Sequence, residues 1–357
     1  MNIQLKKYDW IIFLSTLALI GMGLFHLYTL TFSSEIRYFF RQIIWIGIGM
    51  GLLFLFSFLK VSFWRKIAYI FGGVSLILLI LVLLRGRGVY GARRWLEIGV
   101  FSMQPSEFAK LSFILLVSRL ISEKNIGWRE VILSGGVTLI FLILIAYQPD
   151  LGSALIFLLI WIGMLFLAGL SRKKFLTLIG SILFFLPLCY LFLRPYQKAR
   201  ILTFLNPGRD PLGMGWSSLQ SKITLGSGGL IGKGIGKGLY SQLKFLPQPL
   251  TDFVFATVGE QWGFMGALFI MGLYFIIIVR GLKLSRENGP NFAGLVTGGI
   301  AILIFLQVFI NIGMTAGIMP ITGIPLPLLS YGGSSAIVFL SEIGVILAIR
   351  KERLSSS

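Results

Sequence analysis

Hydrophobic residues in this chain gather into long unbroken blocks, with the polar residues between them. The blocks occupy 10–32, 39–59, 66–84, 107–122, 131–148, 151–170, 174–193, 262–280, 292–316 and 331–349. Each is close to the roughly 20 residues that a helix needs to cross a hydrocarbon core of about 30 Å. They lack the alternation of barrel strands, and only helices and closed barrels satisfy their backbone in lipid. The pattern therefore predicts an all-α, polytopic membrane protein with about ten transmembrane helices. It also predicts a single membrane domain over 1–357 containing one large extracytoplasmic loop, 194–261. Lys6 and Lys7 precede the first block as they would a signal peptide, but the block runs too long and carries no small-x-small cleavage site. It is read as a retained anchor.

Composition narrows the function. Of 357 residues, 56% are hydrophobic and 13% charged, with mean hydropathy +0.89, a balance carried by neither water-soluble folds nor disordered chains. A lone cysteine, Cys189, leaves no disulfide scaffold or cysteine-ligated metal site, and a lone histidine, His26, removes most histidine-based metal or triad chemistry. Cys189 in an apolar run reads as packing. His26, mid-span, reads as a buried structural residue.

The net charge of +19 would point to nucleic acid in a soluble protein, but its distribution argues otherwise. Lysines and arginines cluster at alternate block ends, and 17 of the 32 mark a cytoplasmic face that carries both termini. Of the other 15, 13 fall within 85–110 and 194–261. Positive charge there runs against the membrane rule, so these outer cations are candidates for function. The stretch 226–238 is dense in glycine and carries Lys233 and Lys237. Ser227 and Ile231 stand where a P-loop needs its first glycine, and neither lysine precedes Ser or Thr. A flexible loop or a backbone cradle for phosphate oxygens remain as alternatives.

Ionisable residues at the lips of spans are informative because each is costly unless paired or facing water. Glu107 and Lys110, three apart, share a helical face and either neutralise each other or meet a substrate. Asp150, in the turn Gln148-Pro149-Asp150, reads as a helix N-cap. Asp252 follows Pro247 and Pro249 and reads either as a cap or as a catalytic carboxylate. The two compete, since a capping carboxylate has a lowered pKa and is a poor base. The uncharged stretch 311–335 is too rich in Gly and Pro for helix and should line a cavity.

Several stretches then read together: Asn311 to Ser335, Gly91-Ala92-Arg93-Arg94-Trp95-Leu96, Gln104-Pro105-Ser106-Glu107-Phe108-Ala109-Lys110, Gln148 to Gly152, Gln197 to Arg200 with Asn206-Pro207, Gln220-Ser221 and Thr251-Asp252-Phe253. In order, and over nearly the whole chain, they resemble the SEDS family (shape, elongation, division and sporulation) of peptidoglycan glycosyltransferases. The short termini and the wording of 322–328 look more like its RodA branch, for elongation, than its septal FtsW branch. The resemblance implies a polymerase of lipid II at the outer face of the bacterial cytoplasmic membrane. It implies undecaprenyl pyrophosphate as leaving group and a class B penicillin-binding protein as transpeptidase partner. It places the family's essential carboxylate at Asp252 and its conserved Glu and Lys pair at Glu107 and Lys110.

Such chemistry needs a base on the acceptor's 4-hydroxyl, here Asp252, and cations on a leaving group of several negative charges. Lys110, Arg93, Arg94 and Arg200 are the candidate cations. Trp95, Gln104, Glu107, Asp150, Gln220, Ser330, Tyr331 and Ser334, from the same motifs, complete the expected substrate-binding set. The cofactor considered is a divalent cation, magnesium or manganese, with Glu107 and Asp150 as oxygen ligands. The expected partners are lipid II, nascent glycan, membrane lipid and the transpeptidase, with no nucleic acid and no nucleotide. The rival class is a transporter such as a lipid II flippase, which broken helices and intramembrane polar residues suit equally. Against it stand the lack of a repeat between the two halves and the outward placement of the acids. A scaffold that only recruits a transpeptidase would leave Asp252 and the outer cations without a role.

Overall fold

The computed structural model describes residues 9–32, 35–89, 92–98, 101–122, 126–191, 193–206, 208, 210, 213–238 and 246–356. Its helices are α1 (Trp10–Thr31), α2 (Arg37–Phe58), α3 (Val61–Arg85), α4 (Pro105–Ile121), α5 (Trp128–Tyr147), α6 (Leu151–Leu167), α7 (Arg172–Leu191), α8 (Pro195–Leu205), α9 (Met214–Ser227), α10 (Val254–Asn288), α11 (Phe292–Thr315) and α12 (Gly333–Ser356). Every predicted apolar block coincides with one of them. Among the described residues seven helices, α1, α2, α3, α5, α10, α11 and α12, are long and apolar enough to cross a membrane. The other three blocks fall on α4 and α6, of 17 residues each, and on α7, of 20 residues with Pro187 inside. The chain is thus a polytopic helical membrane protein.

The connection after α3 departs from the all-α expectation. Strands β1 (Arg87–Val89), β2 (Ala92–Ile98) and β3 (Phe101–Met103) form an antiparallel sheet in that order, with Arg87 opposite Trp95 and Leu96 opposite Met103. A seven-residue strand that contains Arg93, Arg94 and Glu97 has no apolar run to announce it. The sheet lies directly before α4, so it sets where the polar start of that helix meets the rest of the bundle.

α4 sits at the centre. It is buried on nearly every side, which is why its apolar residues show no single stripe. Phe113 of α4 packs edge-on to Phe141 of α5 at 5.3 Å and lies 5.0 Å from Phe157 of α6, locking three helices together. His26 is buried as expected, with Nε2 2.8 Å from Thr257 Oγ1 and the ring edge-on to Trp262. The side chain of Cys189 lies outside the described residues.

The loop expected at 194–261 holds α8, α9 and the first turns of α10, which bends at Gly263 (φ 68°). The glycine-dense stretch straps this bend. Phe264 N–H donates to the Gly229 carbonyl (2.9 Å) and Met265 N–H to that of Leu230 (3.1 Å), while the Lys233 and Gly234 amides donate to Glu260 and Gln261 carbonyls at 2.9 and 3.1 Å. A side chain at 263 would strike the backbone of 230–232, so close approach and positive φ both require glycine there. Lys233 Nζ is 3.1 Å from the buried Glu260 carboxylate. The part from Gly229 to Gly234 is thus not a free loop, and Lys233 with its own amide and that of Gly234 is committed to α10.

Candidate functional site

The chain enters α10 through a turn fixed by Gln248, whose φ is 50° and whose carbonyl accepts the amides of Thr251 and Phe253 at 3.3 Å each. Phe253, not Asp252, occupies the N-cap position, and no side chain caps this helix. The cap reading of Asp252 is therefore overturned and its carboxylate is free for other work. Asp150 does cap its helix: its carboxylate accepts the Ser153 N–H at 3.2 Å and the Ser153 hydroxyl at 2.9 Å.

The stretch 311–335 is not free of helix as its composition implied: 311–315 end α11 and 333–335 begin α12, and only the Gly- and Pro-rich 316–332 between them is non-helical and packs against the turn that carries Asp252. Ser330 Oγ–H donates to the Thr251 carbonyl (2.6 Å) while accepting the Leu326 N–H (2.9 Å), and Tyr331 N–H donates to the Leu250 carbonyl (2.8 Å). Asn311 reaches the Asp252 carbonyl from α11. A Cβ added at Gly323 would lie 3.4 Å from Asp252 Oδ2. At Gly152 an added Cβ would lie 2.9 Å from that of Thr322, so a glycine beside Asp150 lets the start of α6 close against the same segment.

Two arginines join this group. Arg94 on β2 donates to the carbonyls of Gln148 (3.2 Å) and Pro149, and its guanidinium stands 3.9 Å from Asp150. Arg200 on α8 lines a small cavity with Met319, Pro320 and Ile321, its Nε buried and without a hydrogen-bond partner among the described residues. Burial raises the Asp252 pKa above its ordinary value, opposed by the Thr251 hydroxyl and the charges of Arg200 and Arg94 and reinforced by Asp150. A carboxylate held in this way accepts a proton more readily than a solvated one.

Of the sequence-predicted residues, Arg94 and Asp150 thus meet, Ser330 is bonded to the residue before Asp252, and Arg94, Arg200 and Asp150 act on the Asp252 carboxylate through their charges. Tyr331 is half-buried, edge-on to Tyr38 at 4.8 Å. The Gln104 backbone N–H donates to Ser334 Oγ (3.0 Å). Trp95 is half-buried on β2, and Gln220 of α9 is buried with its Oε1 unpartnered among the described residues. The side chain of Arg93 lies outside the described residues.

Glu107 and Lys110 sit inside the bundle. Lys110 Nζ is 2.5 Å from Glu107 Oε1, the side chains are 1% and 3% exposed, and the buried Glu342 of α12 faces the pair. Lys110 as an outward-facing cation is thereby corrected: a lysine so enclosed neutralises its neighbours. Nor do Glu107 and Asp150 fit a divalent cation, since one is ion-paired and the other has both oxygens on Ser153. Among the described residues no group of three or more His, Cys, Asp or Glu is arranged to hold a metal ion. Sequence reasoning missed Glu342, although an acid inside the last apolar block was a readable signal. It also missed the role of Asn311, which no local pattern announces.

The model of the FtsW/RodA/SpoVE family, described as cell cycle protein, matches residues 9–355. The peptidoglycan glycosyltransferase MrdB of Escherichia coli K12 is 40% identical over 300 residues, covering 81% of this chain and 78% of that protein. Stage V sporulation protein E of Bacillus subtilis is 36% identical over 360 residues, covering 96% and 97%. Among solved structures, a chain from "Structural coordination of polymerization and crosslinking by a peptidoglycan synthase complex" is 33% identical with TM-score 0.85, covering 97% of this chain and 98% of that one. The rod shape determining protein RodA of Thermus thermophilus is 30% identical with TM-score 0.73, covering 97% of each.

Proposed function

Because the chain belongs to the FtsW/RodA/SpoVE family of cell cycle proteins, we infer its chemistry from that membership and from the surroundings of Asp252. It is a peptidoglycan glycosyltransferase, as its relatives are named. The proposed substrate is lipid II, polymerised into glycan strands. The observation that carries the reading is the Asp252 carboxylate, released from capping, packed under the Gly323 turn and within the field of Arg200 and Arg94.

In the proposed step Asp252 takes the proton of the acceptor's 4-hydroxyl as that oxygen attacks the donor's anomeric carbon. The bond from this carbon to the pyrophosphate oxygen breaks with inversion, and undecaprenyl pyrophosphate leaves with the electron pair. Arg94 and Arg200 offset the charge that grows on it. The proton ends on Asp252 and passes to water. Trp95, Gln104, Gln220, Tyr331 and Ser334 form the proposed walls for the sugars. Glu107 and Lys110 support the site through their ion pair.

Counting α4, α6 and α7 as spans gives the proposed ten, in one membrane domain. The Lys- and Arg-rich connections then fall on the cytoplasmic side with both termini, and Asp252 faces outward with most of 194–261. Similarity to a chain of a complex that coordinates polymerisation and crosslinking supports a class B penicillin-binding protein as partner. Elongation is proposed over septation on the similarity to RodA and MrdB.

Purified full-length protein supplied with fluorescent lipid II tests the proposal. Asp252→Asn should lower polymer formation by roughly 10²–10⁴-fold, the usual worth of a positioned base, without lowering the melting temperature. Near-normal polymer from this variant overturns the base assignment. Translocation of lipid II without polymer by the native chain would favour a transporter.

A further inference from the structure

A cleft of about 410 Å³ opens at the end of the bundle away from Asp252, where the α2–α3 connection, the α10–α11 turn and the last turns of α12 meet. Ser62, Arg65, Asn288, Asn291 and Arg353 offer polar groups to it, and Phe292 and Ile349 supply an apolar floor. The proposed reaction uses none of them. The three segments that build it, 60–66, 286–293 and 349–353, carry seven Lys or Arg against two Glu.

Both acids are committed. Glu352 accepts the Val61 N–H at the first turn of α3 (2.7 Å), and Glu287 pairs with Arg350 (3.0 Å) and Arg353 (3.6 Å). Arg65 is exposed and has no acidic partner among the described residues. A planar guanidinium fork is thus left facing a cleft beside the Ser62 hydroxyl and the Asn291 amide nitrogen, while Asn288 Nδ2 is spent on the Leu284 carbonyl; the fork with these donors matches a phosphodiester. The floor argues for an occupant that carries apolar chain as well as charge. The cleft also lies at the end of membrane-crossing helices, where an anionic leaflet surface meets basic side chains.

We propose that this cleft binds the headgroup of an anionic phospholipid, with Arg65 as the main contact and Arg353 as the second. The phosphate is the shared chemistry of a lipid headgroup and a free ion, and the apolar floor selects the lipid.

The test uses the full-length protein in detergent, probed with phosphatidylglycerol, phosphatidylcholine or inorganic phosphate. Retention is read by native mass spectrometry and protection by the melting temperature. Phosphatidylglycerol should be retained and should raise the melting temperature; phosphatidylcholine and inorganic phosphate should do neither. Arg65→Gln, which breaks no ion pair, should weaken retention on the order of fivefold, and Arg65→Gln/Arg353→Gln further. Lys283→Gln, which removes a charge from the same end outside the cleft, should retain the lipid like the native chain. Undiminished retention by Arg65→Gln, or equal loss in Lys283→Gln, would overturn the site. Equal protection by inorganic phosphate would overturn the lipid as its occupant.

Discussion

Asn311 of α11 holds Asp252 by the backbone, its Nδ2 donating to the Asp252 carbonyl at 3.0 Å and to the Ile324 carbonyl at 2.8 Å. One buried amide thus fixes the distance between the start of α10 and the segment that covers the carboxylate. Asn311→Ala strands two carbonyls and should cost about 1–3 kcal/mol of stability, with a fall in polymer formation beyond what the unfolded fraction explains. Asn311→Asp, which turns an acceptor toward two acceptors, should be worse. Lipid II polymerisation measured beside thermal melts checks both. Equal activity of Asn311→Asp and the native chain would show that the tether does not matter.

Asp252 gives a pH dependence with a definite sign. Burial raises its pKa and the reaction needs the carboxylate, so polymer formation should rise with pH through a midpoint above that of a solvated aspartate. Arg200→Gln removes a charge that lowers the pKa and should move this midpoint further up. For stability the raised folded value means that the contribution is fully present below the unfolded pKa of about 3.9 and is lost as pH rises through the folded value. Asp252→Asn should therefore melt at or above the native temperature at pH 7 and lose that advantage at pH 4. A melting temperature below the native one at pH 7 contradicts this account.

The bundle was legible because lipid imposes one rule, an unbroken apolar run for each crossing, and every block in the chain proved helical. The wall over Asp252 was legible for the converse reason: Gly323, Pro325 and Pro327 in an uncharged stretch leave no solvent but the protein's own interior. What the chain did not disclose depends on contacts distant in sequence. Gln248, not Asp252, sets the entry to α10 through its positive φ. Lys110 looked accessible because its position marks the lip of a span, yet it is enclosed by helices packed around α4, and Glu342, which faces it, lies more than two hundred residues later. The strap of Gly229 to Gly234 on the Gly263 bend was invisible because glycine-rich composition is the same in a free loop and in a close backbone contact.

Topology is tested by cysteine labelling in a Cys189→Ala background. An impermeant thiol reagent applied to intact cells should label a cysteine replacing Ser217 of α9 and spare one replacing Ser356. Labelling of Ser356→Cys would reverse the orientation and put Asp252 on the wrong side of the membrane for an extracytoplasmic polymerase.

The buried cluster of Glu107, Lys110 and Glu342 separates support from chemistry. It holds two carboxyl groups and one ammonium away from water, so removing the ammonium is the most damaging single change. Lys110→Met should destabilise by about 3–5 kcal/mol, the cost of leaving buried charge unpaired. Glu107→Gln should cost less, because Glu342 remains to face Lys110. Glu107→Gln/Lys110→Met, and more fully the triple variant with Glu342→Gln, should recover stability, since neutral groups of similar size replace ions in the same space. With Lys110 only 1% exposed, polymer formation should recover in step with the melting temperature. If stability returned and polymer did not, Lys110 would have to act on the reaction itself, and the site would open further into the bundle than its closed geometry allows.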